Sequence, residues 1–210
     1  MITTSISRHD HFPGGRLMRR SLKTFTAALA LSAATAPAAF ADAAAFQGLY
    51  GGFSMGLSSA DINAITADID TGFSGDVFVG YNHAIGPNWV IGGELGYGRS
   101  LGHDIPALFP ASFDVENLVT VSARAGYVTG NTMIYGRLGY QSGDMAINFA
   151  PGTPELEGHL FGLGVEHMFA QNFSGRIEVT QSVWDVDGGG APPGTELEST
   201  RVSIGVAYHF

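Results

Sequence analysis

The chain has 210 residues, no cysteine and a formal net charge of −9, so disulfides and thiolate chemistry are excluded. Acidic residues outnumber lysine and arginine by 19 to 10. Nucleic acid is therefore not expected as a partner, because binding phosphates depends on clustered basic residues. The length suffices for one domain.

An export leader is predicted at the start of the chain. A basic segment, Met18–Lys23, precedes an apolar stretch, Phe25–Ala34, and a small-x-small motif, Ala39–Ala41. The apolar stretch is half the ~20 residues that a membrane-spanning helix needs. The pattern therefore indicates a secretory signal peptide, residues 1–41, that is removed from a barrel domain, residues 42–210.

Eight segments of about ten residues then alternate large apolar residues with small or polar ones, which predicts strands with two different faces. No run of about 18 consecutive apolar residues occurs, so no spanning helix is predicted. The predicted strands are Gly48–Leu57, Phe73–Asn82, Trp89–Gly98, Leu118–Tyr127, Met133–Gln141, Leu160–Phe169, Phe173–Val183 and Thr200–Phe210.

The connections between these strands alternate in length. Three are short: His83–Asn88, Val128–Thr132 and Ala170–Asn172. Four are long and rich in Asp, Pro and Gly: Ser58–Gly72, Arg99–Asn117, Ser142–His159 and Trp184–Ser199. Short turns on the periplasmic side and long loops outside are typical of outer-membrane barrels. We predict an all-β fold, an eight-stranded antiparallel up-and-down transmembrane β-barrel.

The two faces of the strands separate a membrane barrel from a soluble one. In the last strand one face holds Val202, Ile204, Val206, Tyr208 and Phe210, and the other holds Arg201, Ser203, Gly205, Ala207 and His209. A soluble barrel places the large apolar set inside and its charges outside. Here the charges share a face with Gly and Ser, so the apolar face is predicted to meet lipid.

Aromatic residues are concentrated at the strand ends, as in the girdles of membrane barrels. At the short-turn ends they are Tyr81, Trp89, Tyr127, Phe169, Phe173, Tyr208 and Phe210. Near the long-loop ends they are Phe73, Tyr97, Tyr140 and Phe161. Two aromatic belts are predicted.

Six short segments of the strands carry a resemblance to a known family. They are Leu49–Gly52, Phe78–Asn82, Ala123–Tyr127, Gly162–His167, Phe173–Glu178 and Gly205–Phe210. In them the chain resembles the small outer-membrane β-barrel family that includes opacity-type surface proteins and the barrel domain of outer-membrane protein A. The resemblance implies contact with outer-membrane lipid and lipopolysaccharide. It also implies that the barrel-assembly machinery recognises the C-terminal strand ending in Phe210.

Eight charged residues are predicted to face the barrel interior. The acids are Asp76, Glu94, Glu166 and Glu178, and the bases are Arg124, Arg137, Arg176 and Arg201. Equal numbers of each sign favour a salt-bridge network that fills the lumen, because buried charges are tolerated when paired. A gated ion path is the alternative, although a bore of eight strands is only wide enough for side chains to fill.

The predicted long loops contain thirteen acids and one base, Arg99. The acids are Asp61, Asp68, Asp70, Asp104, Asp114, Glu116, Asp144, Glu155, Glu157, Asp185, Asp187, Glu196 and Glu198. Such a rim attracts cations. It is either a solvated surface or a site where divalent cations bridge to anionic lipopolysaccharide, without the regular spacing of a dedicated calcium loop.

No catalytic, cofactor-binding or metal-ligating residues are predicted. His103–Asp104 is an adjacent His–Asp pair in a predicted loop, but a serine hydrolase also needs a nearby nucleophile. The remaining histidines are dispersed without metal-ligand spacing, and rim or interior packing is expected of His83, His159, His167 and His209.

The sequence therefore predicts a structural barrel that contributes to envelope integrity. The alternative is a surface adhesin or ligand-binding barrel that acts through its loops. A narrow ion channel or a lipid-modifying enzyme is a more distant possibility.

Cleavage after Ala41 is expected to leave Asp42 as the first residue of the protein in the membrane fraction. Translation from either Met1 or Met18 gives the same product. The Arg19–Arg20 pair raises the twin-arginine route, but a barrel crosses the inner membrane unfolded, which favours ordinary secretion. Intact-mass analysis of the purified protein checks the cleavage site, and a retained leader contradicts it.

Overall fold

Eight strands close into one antiparallel barrel in a computed structural model that describes residues 43–62, 71–105, 111–147, 155–187 and 196–210. Each strand pairs with the next in sequence, and β1 also pairs with β8. The strands are β1 Gly48–Ile62, β2 Gly72–Ile85, β3 Trp89–Ile105, β4 Ala111–Thr129, β5 Thr132–Ile147, β6 Glu155–Met168, β7 Phe173–Asp187 and β8 Glu196–His209. The predicted fold is confirmed.

The short turns lie together at one end of the barrel, as predicted. Gly130, with φ of 56°, and Asn131 form a two-residue connection between β4 and β5. A positive φ is the conformation that such tight hairpins require and that glycine adopts without steric cost.

At the opposite end the predicted strand boundaries were wrong, because the strands continue into the predicted loops. The loop predicted at Arg99–Asn117 is largely strand, and Asp104 of β3 still pairs with Ser112 of β4. β6 begins at Glu155 and β7 extends to Asp187, and these two residues are partners. The rest of the predicted loops, including Asp68 and Asp70, lies outside the described residues.

The strands extend because the polarity of their two faces inverts beyond the apolar band. The inward side chains there are apolar and buried: Val115, Met145, Leu156, Trp184 and Leu197. The outward side chains of the same segments include exposed acids, Glu155, Glu157 and Asp185. This end is built like a water-soluble barrel, with burial of apolar side chains inside stabilising the continued pairing.

The apolar band faces outward, as predicted. The eleven aromatic residues assigned to the two belts expose between 40 and 73% of their surface. Trp89 and Tyr127 of neighbouring strands pack edge to face with ring centroids 5.2 Å apart. Among the described residues no helix is long and apolar enough to cross a membrane.

A short 3₁₀ turn, Ala43–Phe46, precedes β1 and lies inside the short-turn end of the barrel. We call this segment, together with Gln47, the N-terminal plug. Gly48, with φ of 115°, redirects the chain from the plug into β1. Sequence analysis did not predict the plug, since no amphipathic period is recognisable in Ala43–Phe46.

Changing Leu163 to Arg is expected to destabilise the folded barrel by about 2–4 kcal/mol, the usual cost of a basic side chain on the lipid face at mid-membrane. Leu163 lies on the outward face of β6 and is 57% exposed. Glu155→Arg is the matched control, because it places the same side chain on the same face of β6 beyond the apolar band. Urea unfolding in lipid vesicles measures both, and equal effects would contradict the assignment of the lipid face.

Candidate functional site

The middle of the lumen is filled by a network of buried charged side chains. Strict alternation along five consecutive strands, β3 to β7, points them inward, and each is less than 10% exposed. We call this set the lumen network: Glu94, Arg124, Arg137, Glu166, Arg176 and Glu178. The predicted inward orientation and pairing of these residues are confirmed.

Glu94 is at the centre of the lumen network. Arg137 Nη1 donates to its Oε1 at 2.5 Å, and Arg176 Nη1 donates to its Oε2 at 2.7 Å. Arg124 Nη1 lies 3.7 Å from the same Oε2. Three arginines from three strands therefore converge on one carboxylate, and a second carboxylate, Glu178, accepts an ion pair from Arg137 at 3.1 Å.

Glu166 is the second centre, nearer the short turns. Arg124 Nη2 donates to its Oε2 at 2.6 Å, and the Ser174 hydroxyl donates to its Oε1 at 2.7 Å. His209 Nε2 lies 3.1 Å from that same oxygen. Arg124 thus contacts both carboxylate centres. Its loss removes the arginine partner of Glu166, whereas Glu94 keeps Arg137 and Arg176.

Two inward tyrosines complete the network. Sequence analysis missed them because it considered only charged residues as partners inside the lumen. Tyr50 donates its hydroxyl to Glu94 Oε2 at 3.0 Å, and Tyr135 donates to Glu178 Oε2 at 2.9 Å. The Arg124 guanidinium stacks over the Tyr135 ring at 4.3 Å from its centroid. These contacts add to the salt bridges, although the Nε atoms of Arg124 and Arg137 are buried without a hydrogen-bond partner.

The pairing register contains a feature that could have identified the inward tyrosines: each one lies opposite a glycine on the neighbouring strand. Tyr50 is the cross-strand partner of Gly80, and Tyr135 is the partner of Gly164. A Cβ atom at Gly80 would lie 2.3 Å from the Tyr50 hydroxyl, and one at Gly164 would lie 2.5 Å from Tyr135 Cζ. An inward ring thus requires an inward glycine beside it, a pairing that is visible only once the strands are aligned.

Asp76 and Arg201 form a separate ion pair nearer the long-loop end. Their side chains are 17 and 20% exposed, so this pair is less buried than the lumen network. It borders a cavity of about 80 Å³. The lining includes the hydroxyl and amide side chains of Ser58, Ser74, Thr120, Gln141 and Ser182 and the apolar side chains of Val115, Leu118, Trp184 and Leu197. A cavity of this volume is large enough to hold water.

The histidines differ in position. His209 faces inward and joins the lumen network, whereas His83, His159 and His167 are exposed. His167 Nδ1 lies 2.9 Å from the Thr132 hydroxyl. The backbone of His103 and Asp104 belongs to β3, and their side chains lie outside the described part of the structure. No three metal-ligating groups cluster among the described residues.

Outward acids come together at the long-loop end of β6, β7 and β8. Glu157 is the cross-strand partner of Asp185, and Asp185 is the partner of Glu196. Like charges placed directly opposite each other destabilise a sheet. On another part of the rim, Arg99 and Glu116 form an exposed ion pair at 3.0 Å.

Changing Arg124 to Leu is expected to cost about 3–5 kcal/mol, because removing one partner of a buried ion pair leaves an uncompensated charge. Arg99→Leu is the matched control: its ion pair is exposed at the rim, where such pairs contribute about 0–1 kcal/mol. Unfolding of the two variants in lipid vesicles measures the difference. Arg124→Leu as stable as wild type contradicts a cooperative lumen network.

Three solved structures of low sequence identity are similar to this chain, and the first of them shares its barrel fold. Neisserial surface protein A has a TM-score of 0.55 and 16% identity, covering 78% of this chain and 98% of its own. The Ail attachment invasion locus protein of Yersinia pestis, solved with the heparin analogue sucrose octasulfate, has a TM-score of 0.45 and 15% identity over 77 and 100%. The N-terminal barrel domain of Pseudomonas aeruginosa OprF has a TM-score of 0.44 and 15% identity over 78 and 98%.

The sequence comparison is more direct evidence of the family than the structural similarity. No curated protein matches the chain significantly. The sequence profile of the outer membrane protein beta-barrel domain matches residues 25–210, which is most of the chain. The chain therefore belongs to this family of outer membrane β-barrel proteins, and its location is the bacterial outer membrane.

Proposed function

We propose that this protein is a structural barrel that contributes to the integrity of the outer membrane. The observation that carries the proposal is the lumen network, which crosses the bore with its carboxylates held by arginines from opposite walls. Opening such a bore to solutes requires separating buried charges, which is costly. The protein therefore spans the membrane without serving as a general pore.

The outward acids support a direct role in the envelope. Glu157, Asp185 and Glu196 are cross-strand neighbours just beyond the apolar band, where lipopolysaccharide head groups lie. Divalent cations bridging these carboxylates to anionic lipopolysaccharide would offset the repulsion between like charges. Carboxylates with phosphate oxygens are suitable ligands for Mg²⁺ and Ca²⁺.

The end of β8 supports recognition by the barrel-assembly machinery. Phe210 projects outward with 73% of its surface exposed, and its ring lies 5.0 Å from that of Tyr208. Its backbone N–H donates to the Leu49 carbonyl at 2.9 Å, so the C-terminus is fixed at the seam between the first and last strands. An exposed aromatic side chain at this seam is available to an assembly factor.

Adhesion is the second candidate function. The strands extend the acidic long-loop end of the barrel beyond the apolar band, where Glu155 still pairs with Asp187. An acidic surface suits a cationic ligand. We propose no enzymatic role, because the carboxylates of the lumen network are bound to arginines and are unsuited to act as a general base.

Refolded protein in planar bilayers is expected to show no stable conductance of porin size, while heat-modifiable migration on a gel verifies that the barrel is folded. Cells that lack the protein are expected to become more sensitive to detergent and to recover with the wild-type gene. Reproducible large openings from folded monomer would falsify the occluded lumen. Unchanged detergent sensitivity together with lost ligand binding favours adhesion.

Replacing the acid pair, with Glu157→Gln and Asp185→Asn, is expected to weaken complementation. The difference in detergent sensitivity between the variant and wild type should be greatest at ordinary Mg²⁺. It should disappear when a chelator removes the bridging cations from both. The isosteric change of an inward hydroxyl, Ser182→Ala, is the control and should complement fully. Equal detergent sensitivity of the acid-pair variant and wild type under all conditions contradicts cation-bridged contact with lipopolysaccharide.

A further inference from the structure

The short-turn end of the barrel has the construction of a peptide-binding site. Its inward side chains form an apolar cup of buried residues: Val90, Val128, Met133, Tyr135 and Met168. The cup contains Ala43 and Phe46 of the N-terminal plug, and both are fully buried. The inward side chains at this end are therefore apolar, in contrast to the charged lumen network in the middle of the barrel.

Phe46 is the anchor of the plug. Its ring packs edge to face on the imidazole of His209, with centroids 6.0 Å apart. His209 is in turn bound to Glu166 of the lumen network. A fully buried aromatic side chain in a pocket of complementary shape is the feature that dominates the affinity of peptide recognition.

Polar contacts fix the backbone of the plug as they would fix a bound peptide. The Asn82 side-chain amide donates to the Phe46 carbonyl at 3.0 Å. The Ala43 N–H donates to the Pro87 carbonyl at 3.0 Å, and the Ala84 N–H donates to Gln47 Oε1 at 3.4 Å. Residues of β2 and of the turn that follows it thus form hydrogen bonds with both ends of the plug.

The cup is complete only after the barrel has closed. Its apolar wall comes from β3, β4, β5 and β6, its amide from β2, and the imidazole under Phe46 from β8. The plug directly precedes β1, which pairs with β8 and closes the barrel. With the predicted cleavage after Ala41, only Asp42 stands ahead of the plug, so leader removal leaves a short free end that fits the cup.

We propose that the short-turn end is a peptide-binding site whose ligand is the chain's own N-terminal segment, residues 43–47, which seats after β1 and β8 pair. Phe46 provides the anchor, and the backbone contacts of Ala43 and Gln47 provide the register. The plug latches the two chain ends together and separates the lumen network from the periplasm. The proposal is independent of whether the lumen conducts.

Thiol labelling tests the proposal, because the chain has no cysteine of its own. Val128→Cys places a near-isosteric thiol beneath the plug, where a water-soluble maleimide should react slowly with the folded protein. Adding Phe46→Ala should raise the labelling rate about tenfold or more, since local opening then exposes the thiol. Phe169→Ala removes an exposed ring at the same end of the barrel and should leave the rate unchanged.

Two control measurements separate local opening of the plug from other causes of faster labelling. Asn131→Cys, in the exposed turn, should react equally fast with and without Phe46→Ala, which excludes a general effect on labelling. Heat-modifiable migration verifies folding of each variant. Slow labelling of the Val128→Cys thiol in the folded Phe46→Ala variant overturns the anchor role.

The binding site itself is tested with ligand supplied in trans. A synthetic peptide, Ala-Ala-Ala-Phe-Gln, should slow labelling of the Val128→Cys thiol in a folded variant that lacks residues 43–46, and the peptide with Ala for Phe should not. If that deletion does not fold, the same peptides are added to Phe46→Ala. Fast labelling that neither peptide alters overturns a peptide-binding cup, whereas the conductance experiment is unaffected by this outcome.

Discussion

Pairing between the first and last strands is the constraint on which the rest of the structure depends. In hydrocarbon a backbone amide or carbonyl has no water to bind, so every strand must find partners on both sides. β1 meets β8 from Tyr50 with His209 to Ile62 with Leu197, which leaves no open edge. Closure at eight strands also fixes a narrow bore, and the width of the bore decides which side chains fit inside.

The narrow bore explains why the lumen behaves as one unit. Charged side chains inside it are removed from water and are tolerated only when they are paired and hydrogen-bonded. Glu94 therefore takes three arginine neighbours, and Tyr50 and Tyr135 occupy the space left by inward glycines. The same packing that stabilises the charges occludes the bore, so structural and barrier roles have one physical origin.

The outer surface of the barrel contacts lipid in the apolar band and water at the two ends. In the lipid band, large apolar residues face outward and charges face inward. At both ends the inward face becomes apolar, with Leu156 and Trp184 at one end and Val90 and Met133 at the other. Continuous hydrogen bonding carries the sheet through these inversions, and the apolar inner layers stabilise its ends where lipid no longer surrounds it.

The sequence by itself determined the fold class, the number of strands, the lipid-facing side and the inward position of the eight charged residues. It could do so because a period of two and an asymmetry of connections are local properties. Only the tertiary structure decided which arginine binds which acid, where the strands end, and that the plug occupies the barrel. Partners such as Arg124 and Glu166 are 42 residues apart and meet through register and closure. The long-loop strand ends were missed because their alternation inverts, and the plug because its contacts exist only when the barrel has closed around it.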